Sequence, residues 1–374
     1  MADAILSKGE IEGMVESYMD KVGGVGVSST QKILDSGAIP RLKGYTVRPG
    51  KVSDSIYGGR VNYTAKDGTV VDTINPELNT RDGTLLRIMV RTARISTHDI
   101  NRGEIPFKDQ ILAINHNYMR RLVGSVIGTS QLEVEGLKNS AVVIAAENLK
   151  QVPFENVLRA YMAKSSTSTS LYQCFMDGGR DFCGHKLPDD LITNGKLPFV
   201  MDTPSTKSDE HDESLSAQEL INRGIVSAEQ YAEIRNNSLV SFGMVSQFLK
   251  EKGLIFVDTK IEHGINSKGK IVSQDELYTM DSSRFWLAED YESQLVALEK
   301  GEITELAPKS YSKEFARGFS KGEQGYTEEQ QAQIAMRYIE GIQHLLGVRF
   351  SPDLDSRDDR VIKGLETVVG NLVD

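Results

Sequence analysis

Apolar residues recur at helical spacing near both ends of the chain and alternate in a strand-like way between them. In SKGEIEGMVESYMDKV, Ile11, Met14, Val15 and Met19 form one helical stripe, and Ser7 with Glu10 resembles a capping box. After GGVGV, the segment SSTQKILDSGAIPRL predicts a second short helix that stops near Gly37 and Pro40. From about Tyr45 to Ala146 the pattern predicts short strands in YTVR, RVNYTA, TVVDTI, LLRIMVRTARIS and SAVVIAAE, with a helix in KDQILAINHNYMRRLVG. Beyond QVPFENVLRAYMA, the stretch 164–214 is rich in Ser, Thr, Gly, Asp and Pro and predicts a long irregular segment, functional or disordered. A helical segment over 216–252, a hairpin-like 254–277 and a helical tail follow. In the tail, Ile334, Tyr338, Ile342 and Leu345 share one stripe. The outline is a helical extension (1–44), a strand-rich lobe (45–150) and a mixed lobe (151–374).

Composition narrows the class. A chain of 374 residues has room for two lobes, each with its own core. No run approaches the roughly 18 apolar residues of a membrane span, and MADAILSKGEIEG lacks a signal-peptide layout, so no membrane partner is expected. Two cysteines, Cys174 and Cys183, are near enough in sequence to pair, but two in a chain this size point rather to plain thiols in a reducing cytoplasm. A net charge of −10 argues against a nucleic-acid partner but leaves room for a local basic pocket.

The densest chemistry lies in GLIFVDTKIEHG, residues 253–264. Alternation along a strand puts Asp258, Lys260 and Glu262 on one face, a costly grouping to bury without a ligand or metal. If 254–262 pairs with 270–276, Glu262 and Asp275 approach across the ladder, and a shared Mg²⁺ would relieve their repulsion. Lys260 on the same face would supply charge for a transferring phosphoryl group. In RPGKVSDSIYG, Gly50 and Lys51 can bring backbone N–H groups and an ammonium to a phosphate, without a GxxxxGK[ST] layout. Arg159, followed by Lys164 and the hydroxyl run Ser165 to Ser170, suits a phosphate cradle or a polar linker. DTPSTKSDEHDES mixes Lys207 with acidic residues, and histidine spacing predicts no transition-metal site.

Taken together, these stretches resemble the phosphoribosylaminoimidazole-succinocarboxamide synthase (SAICAR synthetase) family from about Gly50 to Gly347. The landmarks stand in family order: GKVSDSIY, RISTHDINRGEIPFKDQIL, VPFENVLRAYMAKS, CGHKLPDDL, PSTKSDEHDES, VDTKIEHG, DELYTMDSSRFW and YSKEFARGF. CGHKLPDDL and PSTKSDEHDE look like the longer family branch. The resemblance implies a two-lobed, kinase-like α+β ATP-binding architecture, with an N-terminal antiparallel-sheet lobe, a mixed α/β C-terminal lobe and nucleotide in the cleft. It implies a cytoplasmic ligase that joins carboxyaminoimidazole ribotide (CAIR) to L-aspartate with ATP and Mg²⁺, through an acyl phosphate. On this chain it assigns Lys51, Gly50 and Glu147 to the nucleotide and Glu262 and Asp275 to the metal. Lys260, Asp258 and Asp281 would be catalytic, and Arg94, Ser96, Asp99, Arg159, Ser165, Lys207 and Arg284 would hold substrate.

This sequence departs from the family at Ser53, where a basic residue is usual, and has an extra residue before Tyr57. It also has Lys164 for Gly, His263 for Phe, and Glu147-Asn148 for paired lysines. These departures leave two alternatives: a Mg-ATP ligase for another carboxylate and amine pair, or a catalytically weak, nucleotide-binding regulatory homologue. The N-terminal helices lie outside the family core, with homo-oligomer support and capping of the cleft both open.

Overall fold

The computed structural model describes residues 5–22, 29–65, 67–98, 100–167, 169–207 and 213–373, and the fold is α+β. The chain divides into two compact units: Met1–Asn117 with Ser130–Leu149 and Ala316–Asp374, and Tyr118–Thr129 with Lys150–Phe315.

The first unit begins with α1 (Lys8–Val22) and α2 (Thr30–Asp35). Ser7 and Glu10 close a reciprocal cap on α1. The Ser7 amide donates to Glu10 Oε2 at 2.7 Å, and the Glu10 amide donates to Ser7 Oγ at 3.4 Å. Then come β1 (Arg48–Pro49), β2 (Ser53–Tyr57), β3 (Gly59–Thr64), β4 (Val70–Asn75), β5 (Leu86–Arg91), β6 (Arg94–Thr97) and β7 (Ile100–Glu104). Helix α3 (Lys108–Leu122) and β8 (Val143–Glu147) follow. The sheet order is β1-β2-β5-β8, with β3-β4 and β6-β7 as separate hairpins. The single run LLRIMVRTARIS therefore splits into β5 and β6. Thr92 gives both its amide and its hydroxyl to the Val52 carbonyl, each at 2.9 Å, which turns the chain out of the ladder.

The second unit opens with β9 (Lys150–Tyr161), then α4 (Leu171–Met176), β10 (Asp181–Phe182), β11 (His185–Lys186), β12 (Lys196–Asp202) and β13 (Ser205–Thr206). The stretch expected to be irregular thus holds strands, because β12 and β13 find a ladder partner in β9. Next are α5 (Ala217–Asn222), α6 (Ala228–Glu251), β14 (Leu254–Ile265), β15 (Ile271–Ser273), β16 (Ser283–Leu287), α7 (Ala288–Glu299) and α8 (Glu314–Arg317). The main sheet runs β12-β9-β14-β15, with β13 beside β9 and β16 beside β14. Helix α6 packs on it through Phe242 stacked on Phe256 at 4.2 Å and Tyr231 stacked on Phe154 at 5.8 Å. The hairpin's return strand is shorter than expected. It ends at Ser273, so Asp275 and Glu276 lie in the connection that leads to β16.

Helices α9 (Glu328–Leu346) and α10 (Arg357–Leu372) complete the first unit. The predicted stripe of α9 is buried at Ile334, Tyr338, Ile342 and Leu345. Val361, Leu365, Val368 and Val369 of α10 enter one core with Ile33 and Leu34 of α2, Ile56 of β2, Ile88 of β5 and Val143 of β8. Gly364 makes this approach feasible, since a Cβ there would sit 2.6 Å from Val143 Cγ2. Arg41 donates to the Val373 carbonyl at 2.6 Å and Arg81 to the Gly370 carbonyl at 2.8 Å, satisfying carbonyls at the end of α10. The helical extension and the C-terminal helices are therefore parts of the first unit's core. No helix among the described residues is long and apolar enough to cross a membrane.

His263, at the irregular point between β14 and β9, is 2% exposed and its Nδ1 has no partner among the described residues. Burial lowers the imidazole pKa to about 4 from 6.5, the nearby Glu262 charge opposing this only in part. Because the folded pKa is depressed, the unfolded chain binds the extra proton first, and stability falls as pH drops from about 6.5 towards 4. Denaturant unfolding at pH 7.5 and pH 5 should show wild type losing about 2 kcal/mol more than His263→Phe over that interval. Equal losses would mean that His263 is not held neutral.

Candidate functional site

The pairing of β9 with β14 sets Asp258 opposite Arg159, Lys260 opposite Val157, and Glu262 opposite Glu155. On the other side of β14, Asp258 is opposite Arg284 of β16. Side chains two apart on a strand share a face, so a charged stripe crosses three strands. The alternation read from the sequence is therefore realised.

Asp258 is clamped between the two arginines. Arg284 Nε is 2.9 Å from both carboxylate oxygens and its Nη2 also reaches Oδ2, while Arg159 Nη1 is 3.5 Å away. Arg159 Nε donates to Thr203 Oγ1 at 3.0 Å, and Arg284 Nη1 donates to the Lys164 carbonyl at 3.0 Å. Two guanidiniums against one carboxylate leave a net positive charge, suited to a phosphate or carboxylate. The Lys164 ammonium is turned away to the exposed Glu305, and its amide bonds Asn194 Oδ1 at 2.8 Å. The Lys-for-Gly departure therefore leaves the carbonyl facing Arg284.

One step along the stripe, Lys260 Nζ donates to Glu155 Oε1 at 2.5 Å and to Glu262 Oε1 at 3.2 Å, and Lys207 pairs with the other oxygen of Glu262. Burial alone would raise the Glu262 carboxyl, but Lys260 and Lys207 hold it at about 2. Burial pushes Glu155 above its usual range despite the pull of Lys260. For Lys260, burial works to lower the pKa, yet the two carboxylates hold it above the ordinary lysine value, so the ammonium stays charged. The directly opposed Glu155 and Glu262 are a like-charge pair that only a cation makes tolerable, and here lysine supplies it.

Asp275 and Asp281 lie in the connection between β15 and β16. Asp281 faces Lys313 at 4.0 Å. Asp275 follows Gln274, whose amide donates to the Glu262 carbonyl at 2.9 Å, and its Oδ1 is buried without a partner among the described residues. A buried carboxylate oxygen left without a donor is the kind of group a hard cation satisfies, with most of its other ligands coming from phosphates and water. Among the described residues no group of three or more His, Cys, Asp or Glu side chains can hold a metal ion. Ser165, partly buried, accepts the Thr167 amide at 3.2 Å.

In the first unit, Gly50 and Lys51 form the turn between β1 and β2. A Cβ on Gly50 would lie 2.4 Å from the Ser53 carbonyl oxygen, so only glycine fits. Arg94 donates to the Gly50 carbonyl at 3.0 Å and pairs with Asp54, with both residues buried. The candidate substrate residue Arg94 is thus engaged in holding this turn. Ser96 is buried opposite Asn101, and Asp99 lies outside the described residues, as do 208–212 of PSTKSDEHDES. Glu147 is opposite Leu86 and Ser53 is opposite Arg91, so Glu147 and the turn stand at opposite ends of β5. A single nucleotide would reach both only by lying along the strand.

Glu155, Thr203 and Asp54 were not singled out by sequence reasoning. Alternation back from Arg159 would have found Glu155. Nothing local marks Thr203 or Asp54, whose partners are distant in sequence.

A family model described as SAICAR synthetase matches residues 79–333. A chloroplastic phosphoribosylaminoimidazole-succinocarboxamide synthase of Arabidopsis thaliana is 32% identical over 300 residues, 76% of this chain and 69% of its own. A putative phosphoribosylaminoimidazole-succinocarboxamide synthase 2 of Mesorhizobium japonicum is 31% identical over 346 residues, covering 89% of this chain and 98% of its own. Among solved structures, a SAICAR synthase from Saccharomyces cerevisiae complexed with SAICAR superimposes with a TM-score of 0.64 at 19% identity, over 88% of this chain and 100% of that one. A type-2 SAICAR synthetase in complex with ADP gives 0.55 at 20% identity, over 82% of this chain and 100% of that one.

Removing the charge of the buried Asp258 carboxylate from between two partly buried guanidiniums should be costly. Asp258→Asn is expected to lower unfolding free energy by about 3 kcal/mol. Lys164→Ala, at an exposed pair, should change it by no more than about 0.5 kcal/mol. Denaturant titration of the two variants checks both, and similar effects would contradict the clamp.

Proposed function

The chain belongs to the SAICAR synthetase family, and from that premise we propose how its charged sheet face serves catalysis. The enzyme is an ATP-dependent carbon–nitrogen ligase of purine biosynthesis that joins CAIR and L-aspartate, giving SAICAR, ADP and phosphate. The observation that carries the residue-level reading is the stripe itself, with a doubly arginine-clamped Asp258 one step from a doubly carboxylate-bound Lys260.

A carboxylate is a poor acyl donor, because oxide would have to leave. In the first step a CAIR carboxylate oxygen bonds to the γ-phosphorus of ATP while the bond to the β-phosphate oxygen breaks, releasing ADP. The aspartate amine then attacks the acyl carbon, the carbon–oxygen bond to phosphate breaks, and the nitrogen gives up its proton. Lys260 offsets the charge on the moving phosphoryl group, and Glu155 holds its ammonium in place. Arg159, Arg284 and Ser165 anchor the ribotide phosphate, so binding energy remote from the reacting carboxylate orients it.

Asp258 acts by keeping the two guanidiniums side by side rather than by moving a proton. Gly50 and Lys51 contact nucleotide phosphates, and Lys207 and Asp281 complete the substrate contacts. Glu262 and Asp275 would hold Mg²⁺, whose chemistry is to neutralise phosphate charge. The free thiols Cys174 and Cys183, the latter pushed up to about 12 by burial, are in keeping with a reducing cytoplasm.

Lys260→Ala should lower kcat by at least about a hundredfold while the Kd for ADP changes by no more than about threefold. Stopped assays paired with calorimetric titration check this split. Equal loss of turnover and nucleotide binding would remove Lys260 from the phosphoryl-transfer role.

A further inference from the structure

We propose that Thr30, in the N-terminal extension, is a positioning residue for the Gly50–Lys51 turn, acting through Asp54 and Arg94. The proposal rests on the reading of that turn as a nucleotide-phosphate contact. Thr30 is 1% exposed, and its hydroxyl donates to Asp54 Oδ2 at 2.6 Å. The other oxygen of Asp54 takes Arg94 Nη2, which also donates to the Gly50 carbonyl at 3.0 Å. Arg357 of α10 donates to Thr30 Oγ1 at 3.1 Å, so the relay runs from α10 through α2 and β2 to the turn.

Each link has a physical consequence. Asp54 is 2% exposed and one of its oxygens is taken by Arg94, so the second, buried oxygen needs a donor of its own. Without the Thr30 hydroxyl, a buried charged oxygen is left unsatisfied and the carboxylate is free to shift. Arg94 then loses its alignment on Gly50. The carbonyl of Gly50 and the N–H of Lys51 belong to one planar trans peptide and point in opposite directions. Fixing the carbonyl therefore fixes the direction of the Lys51 N–H. The tightness of the turn at Gly50 leaves few other ways to set that plane. A valine would keep the shape of the side chain and remove the hydroxyl that meets Asp54 and Arg357, so that substitution isolates the hydroxyl.

The test is steady-state kinetics of the full-length enzyme with each substrate varied in turn. Thr30→Val should raise the KM for ATP about tenfold, with kcat and the KM values for CAIR and L-aspartate within about twofold. Thr30→Ser, which restores the hydroxyl, should bring the ATP KM back to within about twofold of wild type. A uniform rise in all three KM values, or no rescue by serine, would overturn the relay and leave a merely structural threonine. If Thr30→Val does not fold, Asp54→Asn serves instead, with the same ATP-selective rise expected and a uniform rise overturning the proposal. Lys51→Ala separates the underlying reading: an ATP effect there without one in Thr30→Val overturns the relay alone. No ATP effect in Lys51→Ala removes the nucleotide role of the turn.

Discussion

The register of β9 against β14 is the constraint on which the site depends. With Asp258 opposite Arg159, three pairs of positions fall into step and the stripe from Arg284 to Glu155 exists. A slip of one residue would send Lys260, Glu262 and Asp258 to the opposite face, where α6 packs its aromatic side chains. The cost of burying several charges would then have no compensating pairs. The apolar packing beneath the sheet and the ion pairing above it therefore enforce the same register, each making the other affordable in structural terms.

Charge on the stripe is arranged so that no group is left alone. Asp258 neutralises one of two guanidiniums, leaving a surplus that an anionic substrate can use. Glu155 and Glu262 share Lys260, and Lys207 takes the remaining oxygen of Glu262. Such a network holds each side chain in one orientation before any ligand arrives, which is the preorganisation that the proposed phosphoryl-transfer role calls for. The first unit shows the same economy, where Arg94 serves both Asp54 and the Gly50 carbonyl.

What the sequence made legible was local. Alternation in GLIFVDTKIEHG correctly placed Lys260 and Glu262 together, and helical spacing found the buried stripe of α9. The role of Asp258 was not legible, because its partners Arg159 and Arg284 come from strands far away in the chain and only the fold brings them together. The strands within 164–214 were hidden for a similar reason: β12 (KLPFVMD) holds a proline and an irregular register, β13 is only Ser-Thr, and both find their ladder partner in the distant β9. The helical extension carried no family motif, yet Ile33 and Leu34 enter the same core as α10. The partner of the Lys164 ammonium, Glu305, lies far away in the chain, and no local pattern marks it.

The departures at Ser53, Lys164, His263 and Glu147-Asn148 make turnover itself the most direct measurement of the account. ADP release from Mg-ATP and CAIR should be followed with and without L-aspartate, with the product mass read from the same tube. The account predicts aspartate-dependent ADP release and one SAICAR formed for each ADP. Nucleotide binding without turnover, or ADP release with a product of another mass, would contradict it.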